Sequence, residues 1–482
     1  MLQHTNNKNK HFHRFGGRSG FLVRRGGYGW PRRRHEQRNG RARYAISLLL
    51  LIFVTHPLLA QVPSLVPIKS VNADAAATIP ARQPVPAAQT KRITVQDAVS
   101  IFLQQNLQLV AARFDIDTVE AEKLSARVRP NPSITIGSSG LPLKFNGPFL
   151  GEQTFAYNVA QDLELGGKRE KRIAAANADS ELARSQFEMV VWQMTNDVKK
   201  KFYAVLLAES LLNLARENQK TFADIVERTT QVFRSGEISG LDLQRLELEK
   251  FKFDTDLANS ERDYEVAKRD LRLALGGDYR TMDVETEGSM EYYQDYDFSY
   301  ADMRDKALAA RPDLKVAKIS EAVADANIIL QNSQKVPNLT LMGGVNQAPL
   351  GTSNYNFGVG ITLPVSDRNQ TERAKALIDK QRAQNQQQIV TNQIMSDVDK
   401  AVVAFNIQKR RVALYRTGVL TKVNDIQTST EYALKVGESS TLDLLDAIRT
   451  RRDTLAAFYQ TVFDYYSSLL DLELATATPI VK

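Results

Sequence analysis

The chain has 482 residues, 43% of them hydrophobic and 24% charged, which is enough to bury a large core and unlike a disordered or collagen-like composition. Its formal charge of +8 would suit a nucleic-acid binder, but residues 1–60 hold twelve Lys or Arg against the single acid Glu36; without them 51 basic residues face 54 acidic ones. The chain has no Cys, and its five histidines (His4, His11, His13, His35, His56) all lie in that basic segment, so beyond residue 60 Ser-His-Asp and Cys-His catalysis, ordinary zinc sites and disulfides are excluded.

Residues 1–60 read as a secretory leader. Arg41 and Arg43 precede the apolar run YAISLLLLIFVT (44–55), and HPLLA ends in the small residue Ala60, after which cleavage is expected. That run is shorter than the roughly 20 apolar residues that cross a bilayer as a helix, and no later segment approaches this length. The Gly- and Arg-rich stretch RFGGRSGFLVRRGGYGW ahead of it reads as an extended basic n-region or a misassigned start, with an RNA-binding arm as the weaker alternative. Residues 61–92, rich in Ala and Pro, read as a flexible arm.

From Ile93 the chain follows one plan twice, at 93–276 and 299–476, with the acidic and aromatic segment 277–298 between the copies expected as a linker packed on the outside. In the first copy a helix over 93–129 is halted by the prolines of PNPSITI, and a strand pair follows at 132–165. A helix without internal Gly or Pro then runs from Lys168 to Arg234, a turn occupies 235–240, and a helix returns over 241–275. The second copy repeats this with a helix at 300–335, strands at 337–365, a long helix from Arg368 to Lys435, a turn at 436–441 and a helix over 441–475. Each long helix would extend about 100 Å and needs a partner along its length. The returning helices supply part of it through steps of three and four: Leu445, Ile448, Arg452, Leu455, Tyr459, Val462, Tyr466, Leu469 in one copy, and Leu243, Leu246, Lys250, Phe253, Leu257 onward in the other.

The strands alternate. Phe155, Tyr157 and Val159 share one face, with Ala156, Asn158 and Ala160 on the other; Tyr355, Phe357 and Val359 likewise oppose Asn356, Gly358 and Gly360. For an isolated hairpin, one face on a core would explain this. An exported chain whose strands approach the 9 to 11 residues of a tilted membrane-crossing strand points instead to lipid on the apolar face and water on the small, polar one. Four strands cannot close a barrel, and open edges do not survive in hydrocarbon. Three chains would supply twelve strands and leave room for water inside.

LELGGKR superficially resembles a phosphate loop, but Arg169 stands where Ser or Thr should follow the Lys, and no Gly lies five residues before Gly167. No enzyme is expected, and no cofactor. The two turns repeat the same Gly, Glu, Ser, Leu and Asp in the same places: RSGEISGLDL (234–243) and KVGESSTLDL (435–444). Gly236 and Gly437 suit the left-handed position that ends a helix, and Ser239 with Asp242, like Ser440 with Asp443, fits the Ser-x-x-Asp capping pattern. Asp446 lies one turn beyond the cap, and its counterpart in the first copy is Arg245, so the two could form a latch around a ring. Arg127, Arg129, Lys168, Arg169, Lys335, Arg368 and Arg373 cluster beside the strand ends, as a solvated collar or as contacts to lipid phosphates of the inner leaflet.

The duplicated plan, LELGGKRE after the first strand pair, RPDL (311–314) opening the second copy and KVGESSTLDLLDA at the far turn together resemble the TolC family of outer-membrane efflux proteins, with LELGGKR closer to the heavy-metal-efflux, CzcC-like branch. The resemblance implies a mainly α fold with a small β part. Long coiled-coil helical hairpins and four amphipathic strands per chain would form a trimeric 12-stranded outer-membrane β-barrel continued by a periplasmic α-helical barrel. It further implies a passive exit duct that works with a periplasmic adaptor and an inner-membrane pump, either a proton-driven RND-type transporter or an ABC ATPase. Asp242, Asp443, Asp446 and Arg245 would then sit at the periplasmic entrance, and the turn residues Gly236, Glu237, Ser239, Gly437, Glu438 and Ser440 at the adaptor-docking tips. Phe155, Tyr157, Val159, Tyr355, Phe357 and Val359 would face lipid. Many relatives carry a lipid on an N-terminal Cys, which this chain lacks. The principal alternative is an exported coiled-coil rod without a pore, which explains the heptads and the leader but not matched strand pairs in both copies.

Overall fold

The computed structural model describes residues 91–140, 153–236, 238–277, 284–290, 294–348 and 351–480. The expected leader, nearly all of the flexible arm, the loop 141–152 and Glu237 lie outside them. In chain order the elements are β1 (Lys91–Ile93), α1 (Val95–Gln105), α2 (Leu107–Arg127), β2 (Ser133–Ser139), β3 (Thr154–Leu163), α3 (Lys168–Arg234) and α4 (Gly240–Leu275). There follow β4 (Val284–Thr286), α5 (Tyr300–Ala310), α6 (Pro312–Gln334), β5 (Leu339–Gln347), β6 (Ser353–Ile361), α7 (Gln370–Leu414), α8 (Leu420–Lys435) and α9 (Thr441–Thr476).

The long helix α3 is one unbroken span of 67 residues, about 100 Å. On the turn side it packs against α4, on the strand side against α2 and α6, and along a further flank against α9. The second long helix does not match it. The expected continuous helix from Arg368 to Lys435 breaks at Tyr415–Val419, a single π-type turn in which Thr417 has ψ 23° and Gly418 φ 109°. Gly418 is the cause, since a left-handed residue cannot continue a right-handed helix.

The first helix of each copy is also two helices. Asn106, expected inside a helix over 93–129, takes extended backbone angles, and its Oδ1 accepts from the N–H groups of Gln108 (2.8 Å) and Leu109 (3.0 Å) while Nδ2 donates to the Ala274 carbonyl (2.7 Å). Asn106 thereby ends α1, caps α2 and anchors α4. Arg311 makes the matching break before Pro312, because proline disfavours helical angles in the residue before it. The Arg311 side chain is only 7% exposed and forks between Asp313 (2.6 Å) and Asp397 (3.2 Å), over the Trp192 ring. The RPDL motif therefore fastens α6 to α7 and α3.

The main core lies where α1, α3, α5, α7 and the end of α9 meet, around Phe102, Phe202, Phe405, Tyr465 and Leu469. The expected seam on α9 is shifted there. Phe458, Val462, Tyr465, Leu469 and Leu472 are buried, whereas Tyr459 and Tyr466 are only half buried, because α9 packs on α3 and α7 together and needs a wider apolar stripe than a two-helix seam. The intervening segment is anchored to the core at three of its described residues, Val284, Thr286 and Met290. Val284–Thr286 pairs in parallel with Lys91–Ile93, Met290 is fully buried, and the Gln294 carbonyl accepts from the Tyr465 hydroxyl at 2.6 Å.

The four longer strands form one antiparallel sheet in the order β2-β3-β5-β6, which leaves β2 and β6 as open edges. Paired residues in an antiparallel sheet share a face, so register yields two surfaces. One carries the rows Ile136, Tyr157, Val345, Tyr355 and Ile134, Val159, Gly343, Phe357; the other carries Thr135, Asn158, Gly344, Asn356 and Ser133, Ala160, Met342, Gly358. Glycine is required at 344, where a Cβ would overlap Asn158 Oδ1 and the Tyr157 carbonyl and approach Asn356 Oδ1 to 2.9 Å. Among the described residues no helix is long and apolar enough to cross a membrane.

Candidate functional site: tip turns, sheet and rim

The two tip turns have one construction. Gly236 (φ 82°) follows the end of α3, and Gly437 (φ 81°) follows α8, where the Glu438 N–H donates to the Ala433 carbonyl at 2.9 Å and the Gly437 N–H to Leu434 at 3.2 Å. Ser239 and Ser440 then start the returning helices, their hydroxyls accepting from the N–H groups of Asp242 and Asp443, each at 3.2 Å. Asp443 is held more tightly than Asp242. Its Oδ2 accepts from the Ser440 N–H (2.9 Å), the Ser440 hydroxyl (2.7 Å) and the Ser439 hydroxyl (3.2 Å), and these donors hold its carboxyl below the usual range. Asp242 accepts from the Ser239 hydroxyl (2.8 Å) and lies 3.5 Å from Arg245 Nη1. Asp446 is exposed, with no ion pair among the described residues. Within the chain Arg245 is thus paired with Asp242, not with Asp446.

The sequence did not reveal how the two turns are held side by side. Phe222 and Val226 of α3, Leu246 and Phe253 of α4, and Leu444, Leu445 and Ile448 of α9 form a second buried cluster at this end. Above it, Arg449 pairs with Glu249 and Arg452 with Asp256 (3.1 Å), bridging α9 to α4, while Arg451 reaches Glu217 of α3 (3.0 Å). Burial would push the Glu249 carboxyl up, but Arg449 and Lys252 outweigh it and leave the group below its ordinary range. The only legible trace of these bridges was an excess of charge on the returning helices.

At the other end of the molecule the apolar sheet face is open. Tyr355, Phe357 and Val359 are 77%, 87% and 67% exposed, Tyr157 and Val159 about half exposed, and Phe155 half buried. The opposite face presents small and amide side chains.

Where strands meet helices, LELGGKR builds a joint. Gly166 (φ 74°) and Gly167 (φ 67°) turn the chain, and a Cβ on Gly166 would strike Val336 at 2.9 Å. Arg172 forks onto Glu164 (2.6 and 3.1 Å) and caps the carbonyls of Ala126 and Val128, while Lys168, buried, donates to Asn338 Oδ1 at 2.6 Å. Arg169 donates to the Arg127 carbonyl (2.9 Å) and Arg373 to Asn332 Oδ1 (2.6 Å). Among the described residues no group of His, Asp or Glu is arranged to hold a metal ion.

The chain is similar to known proteins in sequence and in fold. The cobalt-zinc-cadmium resistance protein CzcC of Cupriavidus metallidurans is 24% identical over 359 residues, 74% of this chain and 84% of that protein. The outer membrane protein TolC of Vibrio cholerae is 26% identical over 320 residues, 63% of this chain and 71% of that protein. In fold, the chain is similar to the outer membrane channel CmeC of Campylobacter jejuni, with a TM-score of 0.68 and 15% identity across 79% of this chain and 85% of CmeC. The sequence profile described as outer membrane efflux protein matches residues 98–277 and again residues 303–478, one match to each copy of the duplicated plan. With both copies matched in sequence and a channel fold around them, the chain belongs to the outer membrane efflux protein family.

Proposed function

We propose that three copies of this chain close a 12-stranded barrel in the outer membrane and a helical tube in the periplasm, forming the exit duct of a tripartite efflux or secretion system. The single observation that carries the reading is the sheet itself. It has two unpaired edges, β2 and β6, and an apolar face on which Tyr355, Phe357 and Val359 are more than half exposed. In hydrocarbon such edges require pairing, and the edge of a second copy offers it. Tyr157, Val159, Tyr355, Phe357 and Val359, with Phe155 nearer the loop end, then contact lipid, and Asn158, Asn356, Gly344 and Gly358 line water. A rod without a pore leaves both the open edges and the exposed rings without a role.

The duct is passive. The tip turns at 236–240 and 437–440 ring the periplasmic entrance, where an adaptor docks, and an inner-membrane pump supplies the energy. Asp242, Asp443 and Asp446 place carboxylates at that entrance, which favours cations. CzcC is named for cobalt, zinc and cadmium resistance, and cationic cargo agrees with such a ring. The test is purification in nonionic detergent, followed by gel migration with and without boiling and by planar-bilayer recording. A heat-sensitive trimer that conducts is expected; a folded monomer soluble without detergent would overturn the proposal.

A further inference from the structure

The cations at the periplasmic rim of the sheet divide into two sets. Lys168, Arg172 and Arg373 are engaged by Asn338, Glu164 and Asn332, and Arg169 and Arg368 donate to the carbonyls of Arg127 and Pro364. Arg127, Arg129 and Lys335 are exposed and, among the described residues, their side chains make no ion pair or hydrogen bond. Arg127 and Arg129 lead into β2, and Lys335 into β5, at the end of the sheet where β3 and β6 leave it. At the same level large apolar side chains are exposed: Val128 at 58%, Leu363 at 67% and Val365 at 74%. The cations are local, since beyond residue 60 the chain carries 51 basic against 54 acidic residues.

Exposed apolar groups bordered by cations without carboxylate partners suit the level at which hydrocarbon gives way to phosphate. We propose that Arg127, Arg129 and Lys335 bind the phosphate groups of anionic phospholipid in the leaflet facing the periplasm and so set the depth of the barrel. The inference rests on the channel reading above and adds to it a lipid class and three residues. Lys168 is left out because its ammonium is turned inward onto Asn338.

The test titrates the trimer in nonionic detergent with dioleoyl phosphatidylglycerol and, separately, dioleoyl phosphatidylcholine, counting retained lipid by native mass spectrometry. Wild type should hold the anionic lipid about tenfold or more tightly at 0.15 M salt, and the preference should fade near 1 M, where the screening length falls to about 3 Å. Arg127→Gln/Arg129→Gln/Lys335→Gln should equalise the two lipids in a trimer that still forms, whereas Lys168→Gln should leave the preference intact. Equal retention by a conducting wild-type trimer overturns the collar alone, as does an undiminished preference in the triple variant. A triple variant that loses the trimer, beside a wild type without lipid preference, assigns these cations to the neighbouring copy instead. A monomer that takes up neither lipid overturns the channel reading beneath the proposal.

Discussion

Asp443 Oδ2 accepts both the backbone N–H and the hydroxyl of Ser440, at 2.9 and 2.7 Å, so the carboxylate at the head of α9 is engaged as a cap before it can do anything else. Its folded form is ionised more readily than an ordinary Asp. A group with a depressed folded pKa contributes stability that is complete above its unfolded value and is lost as pH falls through the folded one. Hydrogen-exchange protection at 441–448, corrected for intrinsic rate, should therefore hold at neutral pH and decline below about pH 4. Ser440→Ala should weaken the same amides by about 1 kcal/mol at neutral pH. Protection that does not change with acid would detach the carboxylate from the cap.

Asp446 is exposed and makes no cap. Asp446→Asn should therefore lower cation preference in planar bilayers without changing the thermal midpoint, while Asp443→Asn should lower both. Arg245 lies 3.5 Å from Asp242, and Arg245→Ala should raise cation preference by freeing that carboxylate. Reversal potentials in a salt gradient measure each effect, and unchanged potentials in all three variants would leave these residues as helix caps and surface charge.

Gly418 has φ 109°, and a Cβ there would meet no atom within 4 Å. Gly418→Ala thus imposes backbone strain without a clash, and the expected loss is about 1 kcal/mol per chain, read as a lower unfolding midpoint of the trimer. An unchanged or higher midpoint would mean that the break between α7 and α8 is not a fixed feature of the folded chain.

Gly344→Ala should be far more severe. The added methyl overlaps Asn158 Oδ1 and the Tyr157 carbonyl, so β3 and β5 must separate or slip. Boiling-sensitive trimer should disappear from gels. Asn158→Ala in the same chain should not restore it, because the Tyr157 carbonyl is backbone. Rescue by Asn158→Ala would show that only the side chain stands in the way.

The sequence by itself determined the features that depend on neighbours along the chain. Residue alternation decided the two faces of each strand, Gly with Ser-x-x-Asp decided both tip turns, and the 67-residue run without Gly or Pro decided α3. Two helix breaks have equally local causes: Arg311 before Pro312, and Gly418 within a run expected to be helical. What only the tertiary structure decided depends on residues far apart in sequence. Asn106 ends a helix because the Ala274 carbonyl, 168 residues away, takes its amide, and nothing near Asn106 forecasts that partner. Arg245 turns to Asp242 because the pair lies one helical turn apart, whereas a pairing with Asp446 would have to span two copies of the plan. Of the basic residues beside the strand ends, packing consumed Lys168 and Arg373 and left Arg127, Arg129 and Lys335 in the open. Which charges are consumed is a question of three-dimensional proximity, and a hydrogen bond reaches about 3 Å whatever the distance along the chain.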